Sequence, residues 1–176
     1  MCTLRPFRCE DMFYFNNANT DKLTETYGPA FYLQYLSLWP EYFQVAEAPN
    51  GKIMGYIMGK AEGSVSQRLW HGHVTAVTVA PEYRRLGVAA KLMNYLEDIS
   101  EKKHCFFVDL FVRVSNNVAV TMYEKLGYIV YRRVLEYYSG TKSEDAYDMR
   151  KALSRDVERK SVIPLKEPIS PDELEW

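Results

Sequence analysis

The chain lacks most of the features that fix a protein's class at a glance. Its three cysteines, Cys2, Cys9 and Cys105, are odd in number and share no metal-ligand spacing. That argues against a disulfide framework and for a reducing compartment. Histidines are as scarce, at three (His71, His73, His104). His71 and His73 form a His-x-His pair with no cysteine pattern to complete it, so no metal site is expected. No apolar run approaches the length of a membrane span. The N-terminus mixes Arg5, Arg8, Glu10 and Asp11 with apolar residues and so lacks a secretory-signal core. Net charge is only −1, with a pI near 6.3, which gives no electrostatic footprint for nucleic acid. No internal repeat and no Ser-His-Asp set is evident. A cytosolic protein is expected, with the nucleus as the second choice.

What is present suits a globular enzyme. A length of 176 residues with 47% hydrophobic side chains implies one domain that can bury a core without disulfides or metals. That domain is expected over residues 1–153. Residues 154–176, with Pro164, Pro168, Pro171 and many charges, read as an extended tail that packs on the body or a partner, with disorder as the alternative on composition.

Within the domain, strands are expected over 1–9, 42–48, 53–61, 72–79, 106–112, 128–136 and 146–151, with a hairpin signal at Asn50-Gly51. Helices are expected over 10–17 (short), over 31–39 closed by Pro40, and over 87–102, where Ala89, Leu92, Met93, Leu96 and Ile99 share a face. One more is expected after the N-cap candidates Ser115, Asn116 and Asn117, with Gly127 just past its end. The order is mixed α/β.

Arg84-Arg85-Leu86-Gly87-Val88-Ala89 carries the chief clue to function. It joins a β-like run, Val74 to Val79, to the helix ending near Lys102. Free N–H groups at a helix start, together with the helix dipole, form an anion site. Gly87 has no Cβ, so a ligand can approach the backbone, and arginine forks suit phosphate oxygens. A pyrophosphate fits such a turn. A solvated basic turn is the plainer alternative.

With Val74–Pro81, Arg84-x-x-Gly87-x-Ala89, Phe106–Val112, Asn116 and Tyr123 in this order, the chain resembles the GNAT acetyltransferase superfamily. Further segments resemble the NatB-type catalytic subunits among N-terminal acetyltransferases: Leu23-Thr24-Glu25-Thr26-Tyr27-Gly28, Trp39-Pro40-Glu41-Tyr42-Phe43, Met54 to Lys60, Trp70-His71-Gly72-His73-Val74-Thr75, Asp109 to Asn116, Tyr137-Tyr138-Ser139, and Asp148 to Asp156. The likeness runs from about Leu4 into the tail. It implies a GNAT fold, a mixed, twisted sheet of six or seven strands flanked by helices.

The resemblance also implies a cosubstrate, acetyl-CoA, and no metal. Arg84, Arg85, Gly87, Val88 and Ala89 would hold its pyrophosphate, Val77 and Val79 its pantetheine arm through backbone groups, and Asn116 and Tyr123 would face it. Tyr123 would protonate or stabilise the leaving thiolate, and Glu25 would act as base or position the amine. Tyr27, Gly28, Tyr137 and Tyr138 would wall the peptide slot, and His73, Thr75 and Asn116 would meet the second substrate residue. The plainer readings are an exposed loop glutamate for Glu25, an N-cap for Asn116, core for Tyr123 and surface-strand tyrosines for Tyr137 and Tyr138. The implied acceptors are protein N-termini beginning Met-Asp, Met-Glu, Met-Asn or Met-Gln. The implied partner is a large helical-repeat auxiliary subunit that brings the enzyme to ribosomes and nascent chains, with no direct contact to nucleic acid or membrane. Two alternatives stay open: an acetyl-CoA-binding subunit with little activity of its own, and an acetyltransferase of lysine or small amines.

Overall fold

In a computed structural model, residues 2–20, 24–140 and 143–174 are described. Leu23 of the expected peptide loop, residues 141 and 142 between the last two expected strands, and the last two residues of the expected tail lie outside them. Seven strands follow the order β1-β2-β3-β4-β5-β7-β6 in one sheet: β1 (Thr3–Pro6), β2 (Gln44–Glu47), β3 (Ile53–Glu62), β4 (His71–Val79), β5 (Phe107–Arg113), β6 (Ile129–Tyr138) and β7 (Glu144–Ala152). The α-helices among the described residues are α1 (Pro29–Leu38), α2 (Val88–Lys102) and α3 (Asn117–Lys125). The short helix expected after the first strand is a 3-10 segment, Cys9–Phe13. Residues fall into two compact units, Met1–Lys60 with Val74–Ile99, and Ala61–His73 with Ser100–Trp176.

In the first unit, β1 pairs antiparallel with β2, and β2 with β3. The sequence dictates this meander: Asn50-Gly51 turns the chain, with Gly51 at φ +80°. The core is unusually aromatic. Phe7 and Phe43 stack at 3.9 Å, and Phe15, Tyr32 and Tyr56 close around them. Tyr56 is fully buried, yet its hydroxyl reaches Asn19 Oδ1 at 2.7 Å, as a buried phenol requires. Arg5 ties β1 to Asp11 (2.8 Å) and Glu47 (2.6 Å). α1 begins at Pro29, whose missing N–H costs nothing at the first helical position.

In the second unit, β7 lies between β5 and β6, antiparallel to both. The nearly continuous apolar run 107–112 is thereby paired along its length, and Phe107, Val108, Leu110 and Val112 are buried. Tail residues pack along β6: Leu165 N donates to Tyr131 O, Ile169 N to Arg133 O, and Leu135 N to Ile169 O. Leu174 joins Val134 and Ala146 in a small apolar cluster. Ser170 and Glu173 form a reciprocal capping box around the 3-10 turn Pro171–Glu173.

Candidate active site

The first unit carries the anion turn. β4 ends at Val79, with Val77 and Val79 half-buried. A 3-10 turn, Pro81–Tyr83, leads into the exposed residues Arg84 to Gly87. Two residues there have left-handed backbone, Arg85 at φ +61° and Gly87 at φ +78°. This reversal delivers the chain to the start of α2, where Lys91 N bonds Gly87 O at 3.0 Å. Nothing lies within 4 Å of the place a Cβ would occupy on Gly87. The turn is therefore an open cradle at the N-terminus of a 15-residue helix. Val88 is buried and anchors the helix, and Ala89 is half-buried. Arg84 Nε donates to Val79 O at 3.1 Å, which fixes its stem against the end of β4.

The same unit holds the expected acceptor loop. Glu25 and Gly28 are exposed, and Tyr27 is half-buried, stacked on Phe31 at 4.3 Å. Tyr27 N donates to the Tyr32 hydroxyl at 3.2 Å. Thr24 and Thr78 hydroxyls share a bond at 3.3 Å, tying the loop to β4. Thr75 Oγ1 donates to the Tyr35 hydroxyl of α1 at 2.9 Å. Tyr27 and Thr75 are thus held by α1 aromatics.

The second unit brings His73, Tyr137 and Tyr138 together around Phe111. The His73 ring lies 5.7 Å from Phe111, and Tyr137 stacks on Phe111 at 4.7 Å. Tyr138 meets Tyr137 edge-on at 5.1 Å and donates from its hydroxyl to Phe111 O at 3.2 Å. The Arg113 guanidinium covers the Tyr138 ring at 4.0 Å. A register shift between Val134 and Tyr138, with Glu136 at φ +50°, re-aims the end of β6. The tyrosine pair therefore sits in a braced aromatic wall. Asn116 is the N-cap of α3, its Oδ1 accepting from Ala119 N at 3.2 Å. Tyr123, on α3, is 7% exposed, with its ring 6.0 Å from Tyr128. Burial pushes its phenol well above the ordinary tyrosine value. At neutral pH the hydroxyl is therefore protonated.

Sequence reasoning passed over Asp109. It stands in the apolar run of β5, opposite Arg150 on β7, and is 5% exposed. Its Oδ1 is 2.8 Å from His73 Nδ1, and its Oδ2 is 3.5 Å from His71 Nε2. Burial raises the carboxyl, but His71, His73 and Arg150 outweigh that and hold it well below the ordinary carboxylate range. His71 lies flat on Phe107 at 4.7 Å and shares a 2.6 Å bond between Nδ1 and Leu69 O. The next layer is Arg150, over Phe107 at 4.6 Å and Tyr131 at 3.6 Å, paired with the buried Asp148, which also takes Arg132. A cavity of about 620 Å³ opens on His71, Asp109, Phe111, Arg132, Arg150 and Leu174.

Glu62 joins this group: one ligand atom each from Glu62, His71 and His73 lie within 4.8 Å of one another. The spacing could suit an ion. The two Nδ1 atoms face the Leu69 carbonyl and Asp109, which makes the pair a carboxylate-backed histidine cluster. The signals were present in the sequence: a lone aspartate in a buried run, and the His-x-His alternation.

Strand, left-handed glycine turn and helix together leave an open turn at the start of α2. Residues 9–128 match the model of the Acetyltransferase (GNAT) family, and the chain belongs to that family. It is 64% identical to the N-terminal acetyltransferase B complex catalytic subunit NAA20 of Arabidopsis thaliana, covering 100% of this chain and 99% of that one. It is 60% identical to N-alpha-acetyltransferase 20 of Dictyostelium discoideum, over 99% of each chain. The NatA catalytic subunit NAA10 of Arabidopsis thaliana is 37% identical over 87% of this chain and 79% of its own length. A crystal structure of Chaetomium thermophilum Naa20 with a bisubstrate analogue superimposes with a TM-score of 0.90 at 45% identity, over 97% of each chain. Within its family the chain is an N-terminal acetyltransferase of the NatB catalytic-subunit type.

Proposed function

We propose that this chain moves the acetyl group of acetyl-CoA to the α-amino group of polypeptides beginning Met-Asp, Met-Glu, Met-Asn or Met-Gln. The observation that carries the proposal is the buried, protonated Tyr123 phenol on α3, together with the open cradle at Gly87. Arg84, Arg85 and the N–H groups of Gly87, Val88 and Ala89 fit a pyrophosphate, and the edge of β4 at Val77 and Val79 fits the pantetheine arm. A free amine attacks the thioester carbonyl, the C–S bond breaks, and the Tyr123 hydroxyl stabilises the leaving thiolate by hydrogen bonding or protonates it, the phenol then regaining a proton from solvent. The amine's proton leaves by way of Glu25 or solvent. An α-amine, with a pKa of about 8 against about 10.4 for lysine, needs little help from a base.

By the family likeness, Tyr27, Gly28, Tyr137 and Tyr138 are assigned to the peptide slot. His73, Thr75 and Asn116 supply polar atoms for the second side chain, and a site built to hydrogen-bond rejects analogues that lack the group. These assignments rest on the family likeness and on each residue's local setting.

A partner reading follows from α1. Its ten residues, PAFYLQYLSL, are apolar nearly all round, and Leu33 and Leu38 are 40% and 56% exposed. Phe13 and Tyr14 are more exposed still. Apolar surface of this kind suits a protein partner, here the auxiliary subunit of a NatB complex, a helical-repeat protein. A solved NatB complex bound to a bisubstrate inhibitor contains a chain 42% identical to this one, with a TM-score of 0.88 and 99% coverage of each. Among the described residues no helix is long and apolar enough to cross a membrane. Work in the cytoplasm on nascent chains, at ribosomes reached through the partner, fits these properties.

The test is acetylation of free peptides, with and without the auxiliary subunit. Met-Asp, Met-Glu, Met-Asn and Met-Gln peptides are expected to react in preference to a Ser-start peptide. An N-terminally blocked, lysine-bearing peptide is expected to stay unmodified. Preference for either of the last two would overturn the acceptor assignment.

A further inference from the structure

We propose that Asp109 is a positioning residue for substrate selection. It accepts the Nδ1 proton of His73, turns that ring's Nε2 into the atom that meets the second substrate side chain, and backs it with negative charge. The inference deepens the proposed function and rests on its placement of the second residue beside His73.

The geometry runs through one carboxylate. An ionised carboxylate only accepts, so at 2.8 Å the proton lies on His73 Nδ1. The other oxygen faces His71, whose Nδ1 donates to the Leu69 carbonyl, because a carbonyl cannot donate. Asp109 itself is held from below, opposite Arg150 in the β5–β7 ladder and between Phe107 and Phe111 on one strand face. Arg150 is fixed in turn by Asp148 and the Tyr131 ring. His73 thus belongs to a buried group that is braced from β7.

The consequence is a split among acceptors. A substrate carboxylate (Asp, Glu) can only accept, so it needs a proton on Nε2 as well as on Nδ1. The Asp109 carboxylate, 2.8 Å from Nδ1, places a negative charge directly behind that ring. A substrate amide (Asn, Gln) both donates and accepts, so it pairs with either form of Nε2. Asp109 therefore matters more to acidic than to amide second residues. A part that only supported the fold would affect both alike.

The experiment uses the complex of the full chain with its auxiliary subunit. Asp109→Asn, His73→Ala and the double variant are compared on Met-Asp and Met-Asn peptides. Asp109→Asn is expected to lower the Met-Asp to Met-Asn ratio of kcat/KM by about tenfold, mainly through KM for Met-Asp, as befits loss of a charge-assisted bond. Adding Asp109→Asn to His73→Ala is expected to leave the ratio unchanged within about twofold, since the two act as a unit. An equal fall for both peptides, or an unchanged ratio, overturns the proposal. If His73→Ala alone leaves the substrate profile unaltered, the placement of the second residue fails instead.

Should Asp109→Asn not fold, the wild-type chain decides. Nitrogen NMR of the imidazoles, with only three histidines to assign, is expected to show His73 protonated at Nδ1. A bare Nδ1 overturns the proposal.

Discussion

Replacing Tyr123 with phenylalanine isolates one oxygen atom in the proposed reaction. The ring is 7% exposed and packs edge-on against Tyr128 at 6.0 Å. Phenylalanine fills the same volume, so no cavity forms. The fold is expected to lose no more than about 1 kcal/mol, the worth of one hydrogen bond. The rate is another matter. A positioned general acid contributes roughly a hundredfold or more, and a hundredfold is about 2.7 kcal/mol of barrier. Tyr123→Phe should therefore lower kcat for a Met-Asp peptide by about two orders of magnitude. The KM for acetyl-CoA should stay within about twofold, because the phenol contributes to the transition state and not to uniform binding. The assay is steady-state release of CoA thiol, followed with a thiol reagent, beside a thermal melt of each protein.

The pH dependence carries the same logic. Tyr123 acts while protonated, and burial raises its phenol above the ordinary value of about 10. Wild-type kcat should therefore show no alkaline fall assignable to this group up to about pH 10. A Tyr123→Phe enzyme with kcat within about threefold of wild type, melting normally, would refute the assignment, because general-acid loss cannot be that small.

Other expectations follow from single contacts. Gly87→Ala places a side chain at φ +78° in the cradle. It should cost about 1 kcal/mol of stability and weaken acetyl-CoA binding tenfold or so, read by calorimetry. Gly55→Ala would put its Cβ 2.4 Å from the Thr78 carbonyl oxygen, which as backbone cannot step aside. A loss of about 1–3 kcal/mol is expected by denaturant melt, larger than for an exposed glycine such as Gly28, where nothing lies near the added Cβ. Burial raises the Asp11 carboxyl, but Arg5 and the Arg8 backbone N–H overcome this and hold it low. Its folded value lies below its unfolded one, so its stabilisation is present above about pH 4 and is lost as pH falls further. Asp11→Asn should flatten that part of the stability-versus-pH curve, measured by thermal melts between about pH 2 and 5.

Much of this architecture was legible because local signals agreed. Asn50-Gly51, the Gly87 turn, the N-cap at Asn116 and the apolar run of β5 each mark an element boundary by steric or hydrogen-bond chemistry. The 3-10 segment at Cys9–Phe13 was less legible, since a helical stretch that short has too few turns to show a period. The tail was ambiguous because proline and charge say nothing about a docking edge. Only the backbone bonds of Leu165 and Ile169 to β6 reveal one. Asp109 was hidden for a related reason. One carboxylate in a hydrophobic strand has no periodic signature, and its partners lie 36 and 38 positions away in sequence, at His73 and His71. The tyrosine wall depends on the irregular register near Glu136, which residue pattern does not encode.

The tail's docking along β6 has a consequence for how the protein should be handled. An outer strand whose N–H and C=O groups lack partners is a template for other chains. Here residues from 165 to 169 occupy part of that ladder, and Leu174 plugs the apolar cluster behind it. A chain cut before Pro164 would keep every proposed reacting group yet present a bare β edge. Its expected failure is association with its own kind in storage, before any loss of turnover, so residues 164–174 act as a built-in guard against fibre-like growth.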